Sequence, residues 1–349
     1  MALLSNPIAK KRWRRFKQSR RGYVSAWLLL ILTTLSFAAE FIANNRALIV
    51  AYDGELYFPT LSAQYSGRDF GQDYDYEANY RDLQRHFADQ KQGNWVLMPP
   101  VPFGPLENDL IDGDFPPNAP SLATGHYLGT DTSGRDVLAR LIYGFRTAML
   151  FSLILLLFNY AIGVAIGCMM GYWGGAFDLI FQRLIEIWSN VPFLYVIMIV
   201  ASVITPGFWT LLFIMAFFGW TGMTWYMRTA TYKEVARDYV MAARALGASG
   251  SRIVFRHILP NSVSTLVTFV PFSVASGITA LTALDYLGFG LPAPTPSWGE
   301  LLKQGTENLE SMWIVSSVVL AMTLILMLVA YVGEAIRDAY DPRTFSYYD

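Results

Sequence analysis

The chain has 349 residues, 54% of them hydrophobic and 15% charged, with a formal net charge of −1. So apolar a composition argues against a soluble globular enzyme and for an integral membrane protein, because each helical crossing takes about 20 apolar residues to cover roughly 30 Å of hydrocarbon. A single cysteine, Cys168 in an apolar run, leaves no disulfide framework or thiol metal site, and His86, His126 and His257 lack the i,i+4 spacing of helical zinc ligands.

Residues 1–22 carry eight Lys/Arg and no acid. The stretch Lys10–Tyr23, with Trp13 and Phe16 among basic residues, suits a helix lying on anionic headgroups, and equally a positive flank that fixes topology. Beside a membrane anchor it does not make a nucleic-acid site. Residues 23–43 form the first span, Tyr23–Ala43. A cleaved signal peptide ending near Ser36-Phe37-Ala38 is the alternative, but the stretch reaches full membrane length and more spans follow.

Residues 44–137 hold fourteen Asp/Glu against six Lys/Arg and eight prolines. This insert is too polar to span, and its sequence predicts neither helix nor strand. Prolines 99, 100, 102 and 105, then 116, 117 and 120, point to extended segments laid over other surfaces. A docking platform for a soluble partner and a cap packed on the chain's own membrane domain both remain open.

Five more apolar segments follow: Tyr143–Tyr172, Leu179–Ile204, Phe208–Met227, Asn261–Leu284 and Met312–Val332. Gly163, Gly167 and Gly171 repeat every four residues, a face that lets helix backbones approach closely. Arg183 and Glu186 stand at i,i+3 with Asp178 and Gln182 nearby, which predicts a structural ion pair near the membrane edge. Pro192 and Pro271 are candidate helix bends. With six spans, the basic N-terminus, the Arg228–Arg256 loop (six basic, two acidic) and the tail with Arg337 and Arg343 fall on one side. Because Lys and Arg favour the cytoplasm, both termini are expected there and the insert in the periplasm.

The loop at 228–260 carries the densest signal. In Asp238-Tyr239-Val240-Met241-Ala242-Ala243-Arg244-Ala245-Leu246-Gly247 the alanines are strong helix formers of little bulk, able to sit close to another protein. Gly247 can take the left-handed conformation that ends a helix, and Pro260, after Leu259, can open the next one. An ordinary helix-turn-helix connection is the bland alternative.

The run from Tyr239 to Asn261 resembles the "EAA" loop of bacterial ABC importer permeases, in its dipeptide/oligopeptide version. Met241 stands where that family usually has glutamate, and His257 where it has isoleucine. His126-Tyr127-Leu128-Gly129-Thr130-Asp131 with Gly134-Arg135-Asp136-Val137-Leu138 is similar to the family's entry to its second span. Leu284 to Gly290 and Pro294 to Gly299 resemble the region before its last span. These stretches extend over residues 126–349, and "RRFKQSRRGYVSAWLLL" is also family-like. The long acidic insert departs from ordinary dipeptide permeases and looks like the Yej-type subgroup, whose members import oligopeptides and the peptide-nucleotide microcin C.

The resemblance implies an all-α polytopic protein of the bacterial inner membrane. It would have six transmembrane helices, a type I (MetI-like) importer core at 138–338, the insert between the first two spans, and a cytoplasmic tail at 339–349. It implies that Ala242, Ala243, Arg244, Gly247, His257, Leu259 and Pro260 couple the chain to an ATPase, and that Asp285, Gly288, Gly290 and Trp298 are periplasmic gate candidates. The implied partners are a second homologous permease, two ABC ATPase domains in one chain or two, a periplasmic peptide-binding protein, the peptide and membrane lipid; nucleic acid is not among them. The chain itself would bind no cofactor. No G-x-x-x-x-G-K-[ST] phosphate loop occurs, so ATP and magnesium would sit on the cassettes. The competing class, an ion-coupled transporter or channel without an ATPase, calls for unpaired mid-membrane acids and inverted repeats, and neither is visible. No H-E-x-x-H or G-x-S-x-G supports a membrane enzyme.

Overall fold

The computed structural model describes residues 7–341 apart from 63, 91, 92, 112 and 113, and the backbone alone at 263–265. Residues 1–6 of the basic segment and 342–349 of the expected tail, including Arg343, lie outside the described residues.

The N-terminal segment is helix α1 (Pro7–Gln18), which gives way at non-helical Ser19 to α2 (Arg20–Phe37). Helix α2 lies along the last helix, α12 (Met312–Tyr340). Gly22 allows this approach, since a Cβ there would stand 2.9 Å from the Tyr331 carbonyl oxygen. The expected span to Ala43 stops short. After Phe37 the chain tightens into a 3-10 turn, and Ala39 and Ala43 are buried with Val101, Phe103 and Tyr143.

The insert holds both strands and a helix among its described residues, contrary to the expectation of neither. Strands β1 (Ile49–Tyr52), β2 (Glu55–Tyr57) and β3 (Trp95–Leu97) form an antiparallel sheet in the order β2-β1-β3, and α3 (Tyr80–Gln90) packs on β3. The sequence did hold the signal. Asp53-Gly54 sits at positive φ between β1 and β2, the two-residue hairpin pattern, and Tyr80, Leu83 and Phe87 share one buried face of α3. With Val50, Phe70 and Val96 they make a separate small core. The fold is therefore a helical membrane bundle carrying a small β-sheet rather than strictly all-α. Entry and exit of the unit are adjacent: the Val101 N–H donates to the Ile42 carbonyl and the Asn44 N–H to the Val101 carbonyl.

Among the described residues, four helices are long and apolar enough to cross a membrane: α4 (Val137–Trp173), α7 (Phe208–Val235), α10 (Leu259–Tyr286, from Leu266 onward) and α12. The predicted span Leu179–Ile204 is broken rather than continuous. Helices α5 (Gly175–Ser189) and α6 (Phe193–Val203) meet at 63° and make a fifth crossing when the bent pair is taken as one span. Pro192 causes the break, since it has no N–H to continue the ladder and disfavours helical geometry in Val191. Helix α2 has the 18 residues of a short crossing, but Arg20-Arg21 at its start lower its mean hydropathy below that of these spans. Pro271, by contrast, lies inside a continuous α10.

The Gly163, Gly167 and Gly171 face of α4 seats α7, as the spacing predicts. A Cβ at these positions would come 2.8, 2.6 and 2.8 Å from the carbonyl oxygens of Trp220, Thr224 and Arg228. The main core joins α4, α7, α10, α12 and the short α11 (Trp298–Glu307).

Candidate functional site

Between α4, α6, α7 and α10 lies a cavity of about 710 Å³. Its wall is mostly aliphatic and aromatic, including Leu155, Phe218, Met223 and Phe269, and no charged residue lines it among the described residues. The Tyr160 hydroxyl and Ser273 Oγ, 3.2 Å apart, tie α4 to α10 across it, and the Tyr226 and Phe269 rings meet edge to face at 4.4 Å.

At the end of the bundle where α4 and α7 finish, the chain turns into α8 (Asp238–Ala245). Gly247 follows at φ 77°, the left-handed conformation expected of it. The chain then climbs through α9 (Gly250–Ile253) into a π-helical turn, Val254–Ile258, and on into α10. Pro260 lies in the first turn of α10, but α10 continues this climb rather than starting afresh. The π turn meets the need created by the proline, with the Leu259 N–H donating to the Val254 carbonyl.

Val240, Ile253 and Ile258 are buried together, with Tyr172 and Ala243 packed against them. Ala243 thus serves the loop's own packing. Ala242, Arg244 and Gly247 face outward, and Leu246 is 88% exposed. The Arg244 guanidinium lies 5.0 Å from the Tyr172 ring centroid, which props α8 on the end of α4. His257 and Tyr239 rings are 6.3 Å apart, and Asn261 Nδ2 donates to the His257 carbonyl and the Tyr239 hydroxyl. At the root of this loop, Asp178 accepts two bonds from Arg228, at 2.5 and 2.6 Å, and a third from the Tyr232 hydroxyl at 2.6 Å. The i,i+3 pair Arg183–Glu186 forms as expected, exposed and 2.5 Å long.

The opposite end holds the other sequence candidates. Asp285 is buried and accepts from the Leu291 N–H at 2.7 Å and Ser297 Oγ at 2.5 Å. These bonds fold the 287–297 loop back, with Gly288 at φ 80°. Buried Trp298 donates its indole N–H to the Leu141 carbonyl at 3.0 Å and stacks on Phe145. Asp285, Gly288, Gly290 and Trp298 are thereby gathered at one end of the bundle, and none lines the cavity.

Around them runs a charged network that the sequence presented only as a motif. Glu300 on α11 accepts from Arg135 and Arg140, Asp131 accepts from Arg135, and Thr132 donates to Gln304. His126 bridges Asp136, which caps α4, and Asp109, which Arg81 of α3 also reaches. Burial works against a charge on His126, but the bonds to Asp109 and Asp136 hold its pKa up at about 9. The same bond from His126 holds the Asp109 carboxyl below its usual value, against its own burial. The insert is thus tied by ion pairs to the helix N-terminus beside the 287–297 loop.

Residues 163–346 match the family model "Binding-protein-dependent transport system inner membrane component", and residues 9–65 match "N-terminal TM domain of oligopeptide transport permease C". The inner membrane ABC transporter permease protein YejE of Escherichia coli K12 is 44% identical over 97% of this chain and 98% of its own length. The chain belongs to this permease family. A second relative, the peptidoglycan transport system permease protein YejE of Agrobacterium fabrum, is 39% identical over 97% of the chain and 94% of its own length. The oligopeptide transport system permease protein OppC of Lactococcus lactis subsp. cremoris is 36% identical over 64% and 77%. The protein is therefore a membrane-embedded permease of an ABC transporter, a transport component and not an enzyme.

Proposed function

We propose that this permease is one of two transmembrane subunits of an ATP-driven importer that carries peptides from periplasm to cytoplasm by alternating access. The observation that carries the reading is the pairing, in one bundle, of an uncharged cavity with an outward-facing helix at one end, α8, which follows α7 beyond the Arg228–Asp178 pair that ties α7 to α5. A second, homologous permease closes the open side of the cavity. ATPase cassettes, which hold the nucleotide and magnesium, grip Ala242, Arg244 and Gly247 on the cytoplasmic side. A periplasmic binding protein delivers peptide at the end where Asp285, Gly288, Gly290 and Trp298 shape the gate. With α2 counted as a sixth crossing, the basic flank of α1 supports a cytoplasmic position for both termini. Similarity to the oligopeptide transport permease OppC supports oligopeptides as cargo, and the name of the Agrobacterium relative adds peptidoglycan-derived peptides to be tested.

The test is reconstitution of the complete complex in proteoliposomes with loaded binding protein outside and ATP inside. Labelled oligopeptide should accumulate only with ATP and binding protein, and a peptidoglycan-derived peptide should compete. Accumulation driven by an ion gradient without ATP would replace this reading with secondary transport. Labelling should report a cysteine at Ser66 from the periplasm and one at Ser249 only from the cytoplasm, in a Cys168→Ser background.

A further inference from the structure

Midway along α4, Asn159 lines the cavity as the one carboxamide in a wall otherwise made of apolar side chains, glycines and hydroxyl-bearing residues. Its Oδ1 is buried and takes no hydrogen bond. An orphaned polar atom at this depth is costly, and natural structures keep such atoms where a ligand or chemistry uses them. The surroundings are shaped around this amide. A Cβ on Gly219 of α7 would stand 2.6 Å from Asn159 Nδ2, whereas one turn on, a Cβ on Gly222 would meet nothing within 4 Å. One glycine therefore admits the carboxamide and the next leaves open space beside it. On the other side, the Tyr160–Ser273 bond holds α4 and α10 in place at the same level.

We infer that Asn159 is a specificity-determining residue of the translocation path, one that recognises the peptide main chain rather than its side chains; this rests on the peptide-import reading. A carboxamide has one acceptor and one donor edge, the complement of the N–H and C=O that one residue of an extended peptide turns to the same side, and a half-turn about χ2 offers either edge. The absence of charge on the lining gives the wall no means of selecting lysine- from glutamate-bearing peptides. The class of substrate that follows is peptides of varied side chain with unblocked backbone amides, discriminated against backbone N-methylation.

The experiment uses the full complex with partner permease, cassettes and binding protein in proteoliposomes. It compares uptake of a short peptide with that of its N-methylated analogue, for wild type and Asn159→Leu, a change that keeps the branched outline of the side chain and removes both hydrogen-bonding groups. The binding protein meets the same two peptides in both samples, so its own preference cancels. Asn159→Leu should lower uptake of the unmethylated peptide per ATP hydrolysed roughly three- to tenfold, the range of one lost hydrogen bond. It should also narrow or abolish discrimination against the methylated analogue. Asn159→Gln, which restores an amide on a longer arm, should recover part of that discrimination. Equal discrimination in wild type and Asn159→Leu overturns the inference, as does loss of the partner permease on purifying the Leu variant, which would assign Asn159 to subunit packing. If the wild-type complex imports neither peptide, the peptide reading itself fails, an outcome distinct from both.

Discussion

Gly167 and Gly222 are both helical glycines in the bundle, yet their substitution should have opposite effects. A Cβ at Gly167 would press within 2.6 Å of a backbone oxygen on α7, which cannot rotate away, while at Gly222 it would enter empty space. Gly167→Ala should therefore destabilise by about 1–3 kcal/mol through overpacking, and Gly222→Ala should be neutral or stabilising by about 0.5–1 kcal/mol through helix propensity. Thermal unfolding of the purified permease in detergent distinguishes them; equal melting points would deny that α4 and α7 touch through glycine. His126 gives a pH dependence. Its pKa is raised from 6.5 to about 9 in the fold, so its contribution is complete below about 6.5 and is lost as pH rises through about 9. Asp109, lowered from 3.8, contributes above that value and loses its contribution as pH falls below it. Melting temperature should thus decline from pH 6.5 to 9, and His126→Asn should start lower and show a flatter decline. Parallel slopes would remove His126 from the network. At this scale the sequence discloses residues whose backbone is special, such as Gly247, but not those defined by what they lack. Asn159 reads as one more polar residue in a span until its surroundings show that nothing bonds its oxygen.

Helix α8 has two faces with different work. Val240 and Ala243 hold it to Ile253 and Ile258, so bulk at Ala243 disturbs the loop itself. The outer face is the place to test a grip by cassettes. Leu246→Glu, at a side chain 88% exposed, should leave insertion and melting unchanged yet release the cassettes on purification or uncouple hydrolysis from uptake. Arg244→Glu removes the cation from the Tyr172 ring as well as reversing a charge, and so should combine lost retention with a modest loss of stability, about 0.5–1 kcal/mol. Wild-type retention, ATPase rate and uptake in both would make α8 a plain connection. Elements whose pattern runs long were legible: α4, α7, α10 and α12 fall where hydropathy put them. The broken α5–α6 pair was legible only as a proline, because composition alone does not say whether neighbouring helices will hold a bent segment straight. The strands of the insert, three or four residues each, are too short for alternation to show, and only Asp53-Gly54 gave them away.

The whole molecule divides at a seam. Within the insert, chain entering the small folded unit at Asn44 and leaving it at Val101 is joined by backbone hydrogen bonds, so residues 45–100 behave as a bead threaded on the bundle. Replacing them with a short Gly/Ser linker spans a gap already closed, at small entropic cost. The membrane bundle should insert and melt nearly as before, losing the contacts of Arg81 with Glu107 and Asp109. Docking of the binding protein should weaken if the bead is its platform; unchanged docking and uptake would leave it a cap. Collapse of the whole bundle would contradict the separate core around Val50 and Leu83.

The uncharged cavity has an electrical consequence. On the proposed peptide-import reading, a peptide bearing a net charge finds no counter-ion on this wall and would carry its charge across the membrane field alone. Each uncompensated elementary charge is worth about 2.3 kcal/mol per 100 mV. Import should then be electrogenic in proportion to the cargo: current of one sign for a lysine peptide, of the other for a glutamate peptide, and none for a neutral one, at the same ATP hydrolysed per peptide. Currents recorded from proteoliposomes adsorbed on a supported membrane would show it, and identical traces for all three cargoes would locate a compensating charge on the partner permease. An inside-negative potential would accordingly help cationic peptides in and oppose anionic ones, giving the transporter a bias in cargo that no side chain of this cavity supplies.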